Sequence, residues 1–125
     1  MAHHTVRIVV AEDEFLVSLT IRAQLESMGY EVVGISETGG QAIEMTKDLH
    51  PDLVIMDIGM PEMDGIEATR RIMVEVPTPV LVLTAYGDQS RIGAALAAGA
   101  CGYLVKPAVA EQIRNAIEQA TLQPG

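Results

Sequence analysis

Three carboxylates, one hydroxyl and one amine in this sequence each stand at the end of a run of aliphatic residues. They are Glu12, Asp13, Asp57, Thr84 and Lys106. Two carboxylates about 4 Å apart repel each other by roughly 4 kcal/mol at an effective dielectric constant of about 20. Mg²⁺ would remove that repulsion, because it binds one or two carboxylates and also accepts phosphate oxygens. A lysine adds a mobile positive charge suited to a phosphoryl group. If the fold brings them together, these residue types predict a magnesium-dependent phosphoryl site.

The stretch at 53–57 organises the rest of the chain, because four apolar residues run without a break into Asp57. An apolar run of this length between turn residues is typical of a strand that is buried on both faces. Similar runs alternate with segments whose apolar residues recur every three or four positions, as in amphipathic helices. The predicted strands are 6–11, 31–36, 53–57, 80–83 and 101–105, and the predicted helices are 15–28, 39–49, 65–75, 88–98 and 109–121.

Capping residues and glycines mark several of these ends. Gly29 and Gly99 are placed to end the first and fourth helices, and Asp64 is placed to cap the third. Gly93 lies inside the fourth helix, where a glycine costs about 1 kcal/mol relative to alanine. We therefore expect the fourth helix to be the least stable. The spacing of the last helix predicts that Val109 faces the core.

Strict alternation of five strands with five helices, joined by short connections, predicts a parallel sheet with helices on both faces. The strands of such a sheet share one direction, so their carboxyl ends lie along one edge. Open α/β sheets place their ligands at that edge. The three acids, the hydroxyl and the amine should therefore converge there, although they are far apart in the sequence.

Composition restricts the class of protein. The 125 residues are predicted to form one domain, 1–125, with a frayed tail at 122–125. The net charge of −9 argues against direct binding to nucleic acid or to an anionic membrane surface. No apolar run reaches the roughly 18 residues that a membrane helix needs, and no signal-peptide pattern is present. The single cysteine, Cys101, is expected to be a small buried residue and suits a reducing cytoplasm.

The ordered set of site residues resembles the receiver domain of two-component response regulators, over nearly the whole chain. An acid pair alone would be weak evidence, whereas the complete set in this order and at these spacings is specific. The set comprises Glu12-Asp13, Asp57, the sequence MPEMDG at 60–65, Thr84-Ala85, Tyr103 and Lys106-Pro107. The resemblance implies a doubly wound, flavodoxin-like fold with strand order 2-1-3-4-5.

The resemblance implies a phosphorelay signalling module that catalyses only its own phosphorylation and dephosphorylation. Asp57 would accept a phosphoryl group from the phosphohistidine of a sensor kinase or phosphotransfer protein, which makes the chain a phosphoprotein with an aspartyl phosphate. Asp13 and Asp57 would bind Mg²⁺ directly, together with the carbonyl oxygen of Gly59. Glu12 would act mainly through a metal-bound water.

The same resemblance implies a conformational switch. Lys106 would contact the phosphoryl oxygens, and the Lys106–Pro107 bond would be cis, which is a minority state even before proline. The hydroxyl of Thr84 would move to the phosphoryl group and the ring of Tyr103 would turn inward behind it. The surface formed by the fourth helix, fifth strand and fifth helix would then signal to a downstream effector, which the sequence does not identify.

Two surfaces are candidates for binding partner proteins. Phe15, Leu16 and Leu19 lie beside the core stripe of the first helix, and they form either a docking face for the phosphodonor or part of a wide core stripe. The resemblance also allows a phosphorylation-dependent homodimer. A charge-linked dimer has little support, because the fourth helix is mostly Ala and Gly.

Two other functions compete with the phosphoacceptor. A receiver-like scaffold that binds partners without phosphorylation would not need the complete set of acids, hydroxyl and amine. An aspartyl-phosphate hydrolase of the haloacid dehalogenase type would carry its nucleophile and a second Asp two residues later on the first strand. Here Glu12 and Asp13 are adjacent, and Gly59 stands two residues after Asp57. The complete set favours the phosphoacceptor.

Overall fold

The computed structural model of the chain describes residues 5–60, 63–85 and 89–121. The elements in chain order are β1 (Arg7–Ala11), α1 (Phe15–Ser27), β2 (Glu31–Ser36), α2 (Gly39–Leu49), β3 (Leu53–Asp57), α3 (Gly65–Glu75), β4 (Val80–Ala85), a 3₁₀ turn (Gln89–Arg91), α4 (Ile92–Ala97), β5 (Gly102–Lys106) and α5 (Ala110–Thr121). Pro61 and Glu62 of the MPEMDG sequence and the predicted tail, 122–125, lie outside the described residues.

The strands form one parallel sheet in the order β2-β1-β3-β4-β5, which confirms the predicted fold class and strand order. All residues of the central strand β3 are buried, as its unbroken apolar run predicts. The register pairs Asp57 with Leu83 and Ala85 with Lys106, so β3, β4 and β5 end at nearly the same level. The ends of these strands therefore form a continuous edge.

Helices cover both faces of the sheet. Ile43 of α2, Ile72 of α3 and Ala95 of α4 belong to one buried cluster. Ile21 of α1 and Ile117 of α5 belong to a second cluster on the opposite face. Among the helices of the described residues, none has both the length and the apolar character that a membrane crossing requires.

The fourth helix occupies only part of the predicted 88–98, of which residue 88 lies outside the described residues. It consists of the six residues of α4, and the segment before it forms a 3₁₀ turn. Gly93 and the many small side chains in this segment bury little apolar area, so little packing energy favours a longer helix. Gly29 and Gly99 follow α1 and α4 with φ angles of +92° and +114°, as predicted for glycines that end helices.

Two burial predictions are wrong. Val109 is 60% exposed, because α5 begins only at Ala110 and Val109 therefore lies outside its helical stripe. Cys101 is also exposed, because it lies in the surface connection before β5. Its thiol still donates a hydrogen bond to the Val80 carbonyl oxygen at 3.2 Å.

The start of α3 packs directly on the end of β3. Asp64 caps α3, since its side chain accepts a hydrogen bond from the Glu67 N–H at 3.0 Å, which confirms the predicted cap. A Cβ atom at Gly65 would lie 2.4 Å from the Asp57 carbonyl oxygen and 2.7 Å from Cα of Ile58. Only glycine therefore allows the helix to approach this backbone so closely.

We expect Gly65→Ala to lower the free energy of unfolding by about 1–3 kcal/mol, because the added methyl group must displace the end of β3. Gly93→Ala is the matched control, since a Cβ there meets nothing within 4 Å. That variant should gain about 0.5–1 kcal/mol, because alanine favours a helix. Urea unfolding followed by circular dichroism measures both, and a Gly65→Ala variant as stable as the parent would contradict this account of the packing.

Candidate functional site

The five predicted site residues lie along the carboxyl edge of the sheet. Glu12 and Asp13 follow β1, Asp57 and Lys106 are the last residues of β3 and β5, and Thr84 is the next-to-last residue of β4. Glu12, Asp57 and Thr84 are 1%, 6% and 0% exposed, whereas Asp13 is exposed. One side of the site is therefore buried in the protein and the other faces solvent.

The three acids form a compact cluster. Glu12, Asp13 and Asp57 each bring a carboxylate oxygen within 4.8 Å of those of the other two. Carboxylate oxygens are the ligands that Mg²⁺ and Ca²⁺ prefer, and Mg²⁺ also keeps several waters. The exposed Asp13 leaves one side of the cluster accessible to water. The donor set thus fits a hard divalent cation.

Lys106 connects the two buried acids. Its Nζ lies 3.0 Å from Oε1 of Glu12 and 3.3 Å from Oδ2 of Asp57. The other carboxylate oxygens accept backbone hydrogen bonds, from the Gly59 N–H to Oδ1 of Asp57 at 2.9 Å and from the Glu14 N–H to Oε2 of Glu12 at 3.1 Å. Both carboxylates are therefore held in place by the amine on one oxygen and the backbone on the other.

The pKa values of two groups are raised for different reasons. Burial raises the pKa of the Glu12 carboxyl from 4.5 to about 7, although hydrogen bonds from Lys106 and the Glu14 N–H oppose the rise. Burial alone would lower the pKa of Lys106. The hydrogen bond to Glu12 and the charge of Asp57 outweigh burial and raise that pKa above 10.5. The Lys106 amine thus stays charged at neutral pH, whereas the Glu12 carboxyl titrates near neutral pH.

Thr84 and Tyr103 lie on the same face of the sheet. Val82 pairs with Tyr103 and Thr84 pairs with Val105, so the two side chains are diagonal neighbours on adjacent strands. The Thr84 side chain is buried, and its hydroxyl lies 3.4 Å from the Ala85 carbonyl oxygen. The Tyr103 side chain is 48% exposed. Beyond β5, the Lys106–Pro107 peptide bond is cis.

One further residue near the site was not predicted from the sequence. Arg91, in the 3₁₀ turn before α4, donates to the Ile58 carbonyl oxygen at 3.0 Å and to Oδ2 of Asp64 at 2.9 Å. These acceptors lie 33 and 27 residues away in the chain. Nothing in the local sequence distinguishes this arginine from an ordinary surface residue, so only the folded chain shows the contact.

An apolar groove of about 460 Å³ adjoins the site between α1 and the β5–α5 connection. Leu16, Lys106, Pro107 and Ala108 are among its lining residues. Beside it, Phe15, Leu16 and Leu19 of α1 are 68%, 75% and 40% exposed. These three residues therefore do not extend the core stripe, and they form an exposed apolar patch beside the groove.

Comparison with known proteins gives consistent matches. A family model described as response regulator receiver domain matches residues 8–118. The chain is 41% identical over 114 residues to the transcriptional regulatory protein PdtaR of Mycobacterium tuberculosis (strain H37Rv), which covers 91% of this chain and 56% of PdtaR. It is 40% identical over 120 residues to the chemotaxis protein CheY of Bacillus subtilis (strain 168), which covers 95% and 98% of the two chains.

A solved structure matches over the same extent. The response regulator domain of Thermotoga maritima CheB superimposes with a TM-score of 0.90 at 28% identity, covering 98% of this chain and 100% of that one. The chain spans little more than half the length of PdtaR and nearly all of Bacillus subtilis CheY.

The raised pKa of Glu12 predicts a pH-dependent stability. Because the folded state holds the Glu12 proton more tightly than the unfolded chain, the contribution of this residue to stability falls as pH rises from 4.5 to about 7. Glu12→Gln removes this titration. In metal-free buffer, its free energy of unfolding should rise relative to the parent by about 1–3 kcal/mol between those pH values.

Urea unfolding at pH 5 and pH 8 tests this expectation. Glu44→Gln is the control, because the Glu44 side chain is 69% exposed on α2. The control should differ from the parent by the same amount at both pH values. A Glu12→Gln difference that does not change with pH would show that burial of the Glu12 charge is not costly.

Proposed function

Since the chain belongs to the family of response regulator receiver domains, we propose that it accepts a phosphoryl group on Asp57 in a Mg²⁺-dependent reaction. The donor is the phosphohistidine of a sensor kinase or of a phosphotransfer protein. We place the reaction in the cytoplasm and propose that 1–125 act as one receiver domain. The downstream effector is a further domain or protein that the family membership does not identify.

One observation carries this proposal: the Asp57 carboxylate lies between an amine and two further acids. Oδ2 of Asp57 is 3.3 Å from Nζ of Lys106, and oxygens of Glu12 and Asp13 lie within 4.8 Å. A buried carboxylate with no chemical role would not need this arrangement of charges. A receiver-like scaffold without phosphorylation leaves the arrangement unexplained.

The proposed step is an in-line displacement. An oxygen of Asp57 attacks the phosphorus, the P–N bond to the donor imidazole breaks, and the bonding pair returns to the imidazole nitrogen, which takes up a proton. Phosphoryl transfer of this kind depends mainly on positioning and charge neutralisation. The Gly59 N–H on Oδ1 fixes the orientation of the nucleophile. Lys106 neutralises charge that develops on the transferred oxygens.

Asp13, Asp57 and the carbonyl oxygen of Gly59 would hold the cation, with Glu12 acting through a bound water. When bound, Mg²⁺ supplies positive charge for the acids and the phosphoryl oxygens. The mixture of buried and exposed carboxylates supports this assignment, since Asp13 faces solvent while Glu12 and Asp57 do not.

We propose that Thr84 and Tyr103 couple phosphorylation of Asp57 to a conformational change. The Thr84 hydroxyl moves toward the new phosphoryl group, and the half-exposed Tyr103 ring turns inward on the same face of the sheet. The surface of α4, β5 and α5 then changes. Leu96 of α4, which is 45% exposed, lies on that surface and is available to an effector or to a second copy of the chain.

Incubation with acetyl phosphate and Mg²⁺ tests the assignment of Asp57. The parent chain should gain one phosphoryl group that is labile to base and to hydroxylamine, and Asp57→Asn should gain none. Asp48→Asn, on the exposed side of α2, should behave as the parent. Intact-mass spectrometry counts the groups. A parent that stays unmodified supports the scaffold, and continuous phosphate release without a stable adduct supports the hydrolase.

We further propose that the phosphodonor docks on the exposed apolar residues of α1. Phe15, Leu16 and Leu19 lie beside the groove that reaches Lys106. A protein that delivers a phosphohistidine to Asp57 must cover this side of the carboxyl edge. Apolar contacts there would supply binding energy without adding charge to an acidic site.

Leu19→Glu should slow transfer from an autophosphorylated sensor kinase by about ten-fold or more, because a charge replaces an apolar contact at the interface. The rate with acetyl phosphate should not change, since that donor needs no docking surface. Val74→Glu is the control, because Val74 is 78% exposed on α3, away from the groove. Equal slowing with both donors would refute the docking role.

A further inference from the structure

The peptide group between Ile58 and Gly59 is held at both of its polar ends. Its N–H, from Gly59, donates to Oδ1 of Asp57 at 2.9 Å. Its carbonyl oxygen, from Ile58, accepts a hydrogen bond from Nη1 of Arg91 at 3.0 Å. Because a peptide group is planar and rigid, a rotation that releases one of these hydrogen bonds also moves the other. Arg91 and Asp57 are thus connected through one rigid unit.

The backbone before this peptide has little freedom. The Ile58 N–H donates to the Leu83 carbonyl oxygen of β4 at 3.1 Å. The close packing of Gly65 leaves no room beside the Asp57 carbonyl oxygen and Cα of Ile58. These contacts therefore leave the peptide between Ile58 and Gly59 able to rotate. The hydrogen bond from Arg91 to the Ile58 carbonyl oxygen restrains that rotation.

A second hydrogen bond orients the guanidinium of Arg91. Nη2 of Arg91 lies 2.9 Å from Oδ2 of Asp64, while Oδ1 of Asp64 caps α3 through the Glu67 N–H. The planar guanidinium can reach two acceptors at once, which a lysine ammonium on a flexible stem does less well. Arg91 thereby ties the turn before α4 both to the loop after β3 and to the first turn of α3.

From these contacts we propose that Arg91 is a positioning residue for Asp57. It holds the Ile58–Gly59 peptide in the orientation that directs the Gly59 N–H at the carboxylate. Because Arg91 immediately precedes α4, a displacement at the start of α4 also changes the orientation of that peptide. The role in phosphorylation rests on the proposed function of Asp57, whereas the effect on the Gly59 N–H does not.

Two measurements on the full chain test the proposal with Arg91→Ala, Arg91→Lys and the control Arg70→Ala. Arg70 also carries a guanidinium, but it is more exposed than that of Arg91 and pairs with Glu67 on α3. In metal-free protein, the Gly59 amide proton signal in an ¹H–¹⁵N spectrum should move upfield in Arg91→Ala, as its hydrogen bond to Asp57 weakens. The rate of phosphorylation by acetyl phosphate should fall about three- to ten-fold.

In Arg91→Lys, the Gly59 signal and the phosphorylation rate should both lie between the Arg91→Ala and parent values. In Arg70→Ala, both should equal the parent values. Asp64→Asn is a second variant that removes the charge facing Arg91 but keeps an oxygen for the cap. It should change the Gly59 signal in the same direction as Arg91→Ala, so it decides the question if Arg91→Ala does not fold.

A Gly59 signal that is unchanged in the folded Arg91 and Asp64 variants would overturn the proposal. If the parent is phosphorylated, an equal phosphorylation rate for Arg91→Ala would also overturn the proposal. If the parent chain is not phosphorylated at all but the Gly59 signal moves as expected, the proposed function fails while the positioning of the Asp57 carboxylate by Arg91 stands.

Discussion

The structure depends on a balance of charge at the carboxyl edge of its sheet. Glu12 and Asp57 are almost completely buried, and Asp13 brings a third carboxylate into the same cluster. Lys106 is the amine that touches both buried acids. One positive charge cannot neutralise three carboxylates, so the edge keeps an excess of negative charge and burial raises the pKa of Glu12. That excess would favour the binding of a cation, and in the proposed function a bound cation would prepare the edge for a phosphoryl group.

Holding these charges together requires a rigid scaffold. The parallel register aligns the ends of β3, β4 and β5, so Lys106 reaches past β4 to Asp57. The packing of Gly65 presses α3 on the end of β3. The Gly59 N–H and the Lys106 amine then fix the two oxygens of Asp57. A weaker scaffold would relax by moving the acids apart, because that is the simplest way to lower their repulsion.

A short helix with mostly small side chains lies directly beside this scaffold. The helix α4 has six residues, most of them small, and a 3₁₀ turn precedes it. Little packing energy holds such an element in one arrangement, so a modest change in free energy can shift its population. Arg91 joins this region to the Ile58 carbonyl oxygen. The hydrogen bond from Arg91 thus joins the turn before α4 to the loop that follows β3.

The sequence by itself determined the fold class and the membership of the acidic edge, and its resemblance to receiver domains implied the strand order. Unbroken apolar runs identify buried parallel strands, and the residue after each run must lie at the common edge. The burial of Cys101 and Val109 was predicted wrongly, because each lies one residue outside a strand or a helix, where periodicity no longer indicates which way a side chain points.

Only the tertiary structure decided the distances within the cluster, the exposure of Phe15 and Leu16, and the contact from Arg91 to the Ile58 carbonyl oxygen. Local patterns report which side of an element is apolar, but they carry no information about which distant backbone group meets a given side chain. Such contacts depend on how the helices pack on the sheet, which is set by the whole core at once.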